Sequence, residues 1–239
     1  SRRKNSIVLP AKLEILKREG LVTIPNYLSQ PEFEEIRLAF FKILDEHNAK
    51  KDQNQRSANA LDIEKIKLTP SDIETYPILE KIFHSPEIQA SFSYLSGKTI
   101  NITEIFVEFV RHEQGEQDPC TFLHTDTFFP NQNAWLYVED SDLDCGPFIY
   151  SRGSHRVTIK RLIFEYYASV KHFFGGRSSP RVSDKFAHFL NLSATNIEMP
   201  RNSLLISNNF GIHARGVGMP GTTRAAFKLS YKETPFSRR

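Results

Sequence analysis

Apolar and polar positions change their rhythm about two-fifths of the way along the chain. Up to Gly97 the dominant spacing is helical. Pro10 marks the start of a short helix over AKLEILKRE, with Leu13 and Leu16 apolar and Gly20 at its C-terminal stop. LVTIPNYL reads as a strand closed by a Pro-Asn turn. Ser29 and Glu32 form a capping-box signal, and beyond it Phe33, Ile36, Phe40, Ile43 and Leu44 fall on one helical face. The polar run His47–Ala60 reads as a loop, and Leu61–Gly97 as further helix in two pieces, the second opened by Ser85-Pro-Glu. After Gly97 the period shortens. Thr99–Val110, Thr121–Thr125, Ala134–Glu139, Phe148–Tyr150, Ser203–Ser207, Ile212–Val217 and Ala225–Tyr231 are short strand-like runs between Gly, Pro and Asn turns. One helical stretch, RLIFEYYASVKHFF, interrupts them. The prediction is a mainly β fold with flanking helices: a helical layer over 1–97 on a sandwich or barrel-like jelly roll over 98–239, with an insertion at about 160–196.

Composition narrows this picture without redirecting it. The 239 residues suit one large domain, and 39% hydrophobic with 25% charged residues is ordinary for a globular protein. A net charge of +3 and dispersed basic residues give no nucleic-acid footprint. Cys120 and Cys145 form no CxxC pair, so two free thiols are expected. There is no apolar run of spanning length and no signal-peptide core, which makes a cytoplasmic protein the expectation. No internal repeat is evident.

The chemistry concentrates in FLHTDTFFPNQNAW. His124 and Asp126 are two apart, and on an extended chain such residues share a face. His213, in NNFGIHARGVG, supplies a second imidazole. Two imidazoles and a carboxylate on one face leave half of an octahedral ferrous ion open, the arrangement of non-haem iron oxygenases. Arg224 follows His213 by eleven positions, and a hairpin between their segments would set the guanidinium opposite the histidine. There it could grip a carboxylate through paired hydrogen bonds. The competing readings are a turn-stabilising His–Asp pair and a zinc hydrolase site, the latter leaving Arg224 without a task.

At LKREGLVTIPNYLS, HTDTFFPNQNAW, CGPFIYSRGSH and IHARGVGMPGTTRAAFKLSY the chain resembles the phytanoyl-CoA dioxygenase family of Fe(II)/2-oxoglutarate oxygenases. The resemblance implies a double-stranded β-helix (cupin-like jelly roll) and iron held by His124, Asp126 and His213. It also implies 2-oxoglutarate gripped by Arg224 beside Trp135, with dioxygen as co-reactant and succinate and carbon dioxide as products. A small-molecule substrate is implied, whether lipid or acyl, sugar or secondary metabolite. Asp126 stands where related halogenases carry a small residue, which favours hydroxylation. A macromolecule-directed oxygenase and a non-catalytic jelly-roll binding protein are the alternatives. Arg215 is read as solvent-facing or structurally paired, His155 as structural, and Phe128 and Phe129 as core. Arg161, Lys171, Arg177 and Arg181 are read as a solvated face, and both Lys160–Ala187 of the insertion and the His47–Ala60 loop as substrate covers. Oligomeric state is not readable.

Overall fold

The computed structural model describes residues 2–50, 61–100, 102, 104–113, 118–126, 131–173 and 180–232. The shortened period after Gly97 resolves into two antiparallel sheets. In chain order the strands are β1 (Leu21–Ile24), β2 (Leu61–Lys67), β3 (Glu104–His112), β4 (Asn131–Tyr137), β5 (Phe148–Ser151), β6 (Ala194–Ile197), β7 (Ser203–Asn208), β8 (His213–Arg215) and β9 (Thr223–Lys232). The larger sheet runs β1-β7-β4-β9-β3-β2 and the smaller β6-β5-β8. This is the jelly roll the sequence predicts.

Alternation along the central strands decides what each face meets. Ala134 and Leu136 of β4, Leu204 and Ile206 of β7, and Phe227 and Leu229 of β9 pack outward against helices. Trp135 and Tyr137, Leu205 and Ala226 turn inward and meet Phe148, Tyr150 and Ile197 of the smaller sheet. Every residue of β4 is therefore buried, as a strand covered on both faces requires. The helical layer includes α1 (Arg2–Glu19), α2 (Gln30–Lys50), α3 (Pro70–Thr75), α4 (Glu80–Phe83) and α5 (Pro86–Ser96). On α2 the predicted face is the buried one, and Phe40 meets Phe227 edge-on at 5.1 Å.

The elements differ from the sequence pattern in several places. Helix α2 runs through Lys50 into the stretch read as a loop, and Thr121–Thr125, read as a strand, is the end of a 3-10 turn over Pro119–Thr121 followed by the isolated bridge at His124. Helix α1 starts before Pro10, whose missing N–H costs one hydrogen bond without stopping the helix. LDIEKIK is a strand rather than a helix: β2 pairs along its whole length with β3, and that tertiary pairing outweighs the helical preference of its Leu, Glu and Lys. The predicted helical layer thus also supplies both edge strands of the larger sheet. Strand β6, inside the stretch taken as an insertion, pairs with β5, so that insertion is confined to α6 (Ile159–Phe173) and α7 (Asp184–Phe189) with their connections. The expected stops hold. Gly97 caps α5 at φ +69°, and Ser85 caps its start by accepting from the Ile88 N–H.

Candidate metal centre

His124 sits in an isolated antiparallel bridge with His213, the first residue of β8. Each backbone N–H donates to the other's carbonyl, at 2.9 and 3.0 Å. That double bond holds two segments far apart in sequence side by side. Both imidazoles are buried, at 4% and 5% exposure. Each places Nδ1 within hydrogen-bond distance of the carbonyl two residues earlier, Phe122 at 2.8 Å and Gly211 at 2.9 Å. A carbonyl only accepts, so Nδ1 carries the proton and the Nε2 lone pair is left facing outward, the tautomer a metal ligand needs. Gly211 is required here because a Cβ would lie 2.0 Å from the Tyr150 hydroxyl.

Asp126 completes the group. Its Oδ1 lies 3.6 Å from His124 Nε2 and 3.5 Å from His213 Nε2, and the three candidate ligand atoms all fall within 4.8 Å of one another. Its Oδ2 accepts from the amides of Asn131 at 2.8 Å and Asn209 at 3.2 Å. One oxygen is thus held by the protein and the other presented between the imidazoles. Burial resists ionisation of this carboxyl, but when the two imidazoles are protonated their Nε2–H groups and positive charge outweigh it and hold its pKa far below the usual range; a metal ion on the Nε2 lone pairs would take the place of those protons. Asn131 and Asn209 carry no signal of this role in the sequence pattern. Alanine at both is expected to weaken metal affinity about 10- to 100-fold, the usual cost of losing such supports. Cobalt(II) titration of the double variant measures it.

Arg224 reaches the same cavity by a route other than the expected hairpin. Strand β8 pairs with β5 of the smaller sheet, and β9 pairs with β3 and β4 of the larger. His213 and Arg224 therefore face each other from opposite sheets, and residues 216–222 carry the chain across. On β9, Arg224, Ala226 and Lys228 share the inward face, with small Ala226 leaving room between two cations. Glu108 of β3 is the register partner of Ala226, and its oxygens lie 3.5 Å from Arg224 Nη2 and 3.6 Å from Lys228 Nζ. Burial pushes the Glu108 carboxyl up, but Lys228, Arg224, Arg215 and Lys65 together bring it down to about 2. Arg224 Nη1 also donates to the Gly146 carbonyl at 2.8 Å. Gly146 has φ +65°, and a Cβ there would meet the Gly216 carbonyl at 2.6 Å, so this corner admits only glycine.

The resulting cavity, about 110 Å³, is lined by the three candidate ligands, Arg224, Lys228, Trp135, Tyr137 and Phe148 among others. The Trp135 and Phe148 rings lie 5.2 Å apart, tilted at 40°, and Trp135 lies 5.2 Å under the Lys228 ammonium. Arg215 also lines the cavity. Its Nη2 pairs with Asp118 at 3.2 Å, and its buried Nη1 has no hydrogen-bond partner among the described residues. Arg215 thus has a structural partner in Asp118 and does not face solvent, and it also lines the cavity. His155 is structural as expected, its Nε2 3.1 Å from the Lys17 carbonyl. Cys120 and Cys145 are both free.

The insertion departs from expectation. Arg161, taken as part of a solvated face, is 2% exposed and turned toward the core. Lys171 is exposed, Arg181 is half-buried in a bridge with His124, and Arg177 lies outside the described residues. Phe128, Phe129 and most of the His47–Ala60 loop also lie outside them. Among the described residues none of α6 or α7 lines the cavity, and the outward face of α6 leaves Ile159, Leu162, Ile163 and Tyr166 exposed. No described helix is long and apolar enough to cross a membrane.

No family profile and no curated protein sequence matches the chain. Solved structures do. The epimerase SnoN, in complex with Fe3+, alpha-ketoglutarate and nogalamycin RO, matches with a TM-score of 0.65 at 14% identity, over 98% of this chain and 93% of that one. The non-haem alpha-ketoglutarate-dependent carbocyclase SnoK, from nogalamycin biosynthesis, matches at 0.61 and 16% identity, over 92% and 82%. EctD from S. alaskensis, with 2-oxoglutarate and 5-hydroxyectoine, matches at 0.61 and 13% identity, over 93% and 75%. The chain shares its jelly-roll fold with iron- and 2-oxoglutarate-dependent enzymes. Among these three are an epimerase and a carbocyclase, so the fold by itself does not select hydroxylation.

Proposed function

We propose that the chain is one Fe(II)- and 2-oxoglutarate-dependent oxygenase domain, of the phytanoyl-CoA dioxygenase type, that hydroxylates a C–H bond of a small molecule. The observation that carries the reading is the convergence of three donor atoms within 4.8 Å in the lining of one cavity that Arg224 and Lys228 also line. The donor set suits ferrous iron: two imidazole Nε2 atoms and one carboxylate oxygen, with open cavity beside them. A zinc hydrolase would need no pair of cations there.

Charge supports 2-oxoglutarate as the companion of the metal. Apart from the candidate ligand Asp126, three cations, Arg215, Arg224 and Lys228, stand against two carboxylates, Glu108 and Asp118, at the cavity. That leaves one positive charge to meet the distal carboxylate of a keto diacid, while its keto-acid end meets the metal. Arg224 gives that carboxylate a planar fork, and Lys228, held over Trp135, gives it a second charge. When bound, iron and 2-oxoglutarate together activate dioxygen and supply an oxidant for C–H bonds, with release of succinate and carbon dioxide. The chain's own residues do the rest. Asn131 and Asn209 orient Asp126, the Phe122 and Gly211 carbonyls orient the imidazoles, and Trp135, Tyr137 and Phe148 form an apolar wall that limits water.

Anaerobic addition of Fe(II) and then 2-oxoglutarate to the wild-type protein is the test. A metal-to-ligand absorption band, followed by oxygen-dependent succinate formation, is expected. Its absence at saturating concentrations would instead identify a non-catalytic jelly-roll binding protein.

A further inference from the structure

The most completely bonded side chain near the centre belongs to the insertion. Arg161 lies in the first turn of α6, where its N–H is capped by Thr158 Oγ1 at 3.1 Å. Its guanidinium spreads over three backbone segments. Nη2 donates to the Phe210 carbonyl at 2.6 Å and to Thr125 Oγ1 at 3.3 Å, and Nη1 donates to the Ser154 carbonyl at 2.7 Å. Nε pairs with Glu165 at 2.7 Å, one helical turn on, which neutralises the buried charge. The guanidinium carbon also lies 4.4 Å from the centre of the Phe210 ring.

Each anchoring point adjoins a candidate ligand. Thr125 stands between His124 and Asp126, and its side chain points to the opposite face of the chain from theirs. Phe210 stands between Asn209, which holds Asp126, and Gly211, whose carbonyl orients His213. Ser154 Oγ accepts from the N–H of Ile212, the neighbour of His213, at 2.7 Å. The Thr125 hydroxyl donates to the Phe210 carbonyl too, at 3.3 Å, so both ligand-bearing segments meet at one acceptor under Arg161.

We propose that Arg161 is a positioning residue of the metal centre: from behind the site, it fixes the spacing between the His124–Asp126 segment and the His213 segment. The inference rests on the reading of His124, Asp126 and His213 as metal ligands. It also gives the insertion a task other than covering substrate, because α6 braces the ligand segments from outside the cavity. A buried guanidinium is costly to desolvate, and apolar side chains of similar volume often replace such groups without loss of stability. Arg161 instead spends its donors on segments next to ligands.

Cobalt(II) titration of the full chain, followed by its visible absorption and paired with thermal melting, separates positioning from packing. Arg161→Met is expected to bind cobalt about 10- to 100-fold more weakly than wild type and with an altered band shape, at a temperature well below its Tm. Arg161→Lys, which keeps the charge but not the fork, is expected to fall between them. Ala168→Gly is the control: a buried α6 substitution two helical turns from Arg161, expected to lower Tm while leaving cobalt affinity within about twofold. Wild-type affinity and band shape in Arg161→Met would overturn the proposal, as would an equal loss in Ala168→Gly. If Arg161→Met does not fold, Arg161→Lys decides, and a wild-type band and affinity there overturns the proposal. Failure of the wild-type chain itself to bind cobalt would instead refute the metal-site reading on which the proposal rests.

Discussion

Asp126→Ala is expected to reduce metal affinity by more than about 100-fold, beyond what loss of a supporting residue costs. Three effects act together. The substitution deletes the only carboxylate among the three candidate ligands, leaving two neutral nitrogens to face a divalent ion. It strands the Asn131 and Asn209 amides, which both donate to the lost oxygen. It also takes from the two imidazoles the anion that sits 3.5 and 3.6 Å from their Nε2 atoms. The fold should survive, because the His124–His213 backbone bridge needs no side chain. Asp126→Asn keeps the shape and one carbonyl oxygen but no charge, and should fall between wild type and alanine. The anaerobic absorption titration reads both variants, with thermal melting as the control for folding. An alanine variant with wild-type affinity would remove Asp126 from the ligand set.

The second large effect is expected at Arg224, in the lining of the same cavity. Arg224→Met should weaken 2-oxoglutarate binding about 100- to 1,000-fold, since truncating one partner of a buried charge pair costs several kcal/mol. Metal binding without 2-oxoglutarate should change far less. Arg224→Lys should recover part of the loss, because it restores the charge without the fork. The substitution has a pH signature as well. Glu108 ionises at about 2 in the folded chain, below its ordinary value. A depressed folded pKa contributes stability that is present above the unfolded pKa, roughly 4.3, and is lost as pH falls towards 2. Removing Arg224 takes away one of the cations that depress it. The variant should therefore be destabilised most near neutral pH, and its Tm deficit against wild type should shrink only as pH falls below the variant's own Glu108 pKa, read by titrating both from about pH 4 to about pH 2. A constant deficit across that range would mean that Glu108 is not coupled to Arg224.

What the sequence disclosed follows from which features are local. The α2 face, the Gly97 stop and the Ser85 cap depend on neighbours within a few residues, and the structure has them. The alternation that signals β9 also put Arg224 on the cavity face. Pairing partners are not local. LDIEKIK reads as a helix until β3 is available to pair with it. Likewise the eleven-residue spacing of His213 and Arg224 fits a hairpin until β8 is seen to belong to the other sheet. The candidate ligands could be picked out because imidazole and carboxylate are distinctive at two-residue spacing. Their supports could not: Asn131, Asn209 and Lys228 look like ordinary polar strand and turn residues. Glu108 and Arg161 look like surface charges until the buried partners that neutralise them are known.

The bridge between His124 and His213 has a kinetic consequence. It joins residues 89 positions apart in the chain, and the strands on either side pair over comparable separations. Contacts of this range carry a large loop-closure entropy and form slowly, so the donor set comes together only once both sheets have closed. An unfolded or half-closed chain offers at most His124 with Asp126, a pair any divalent ion binds weakly. Metal capture should therefore coincide with the last slow step of refolding. In a stopped-flow experiment the cobalt band should grow no faster than the near-ultraviolet signal of Trp135, which shares the same closing cavity.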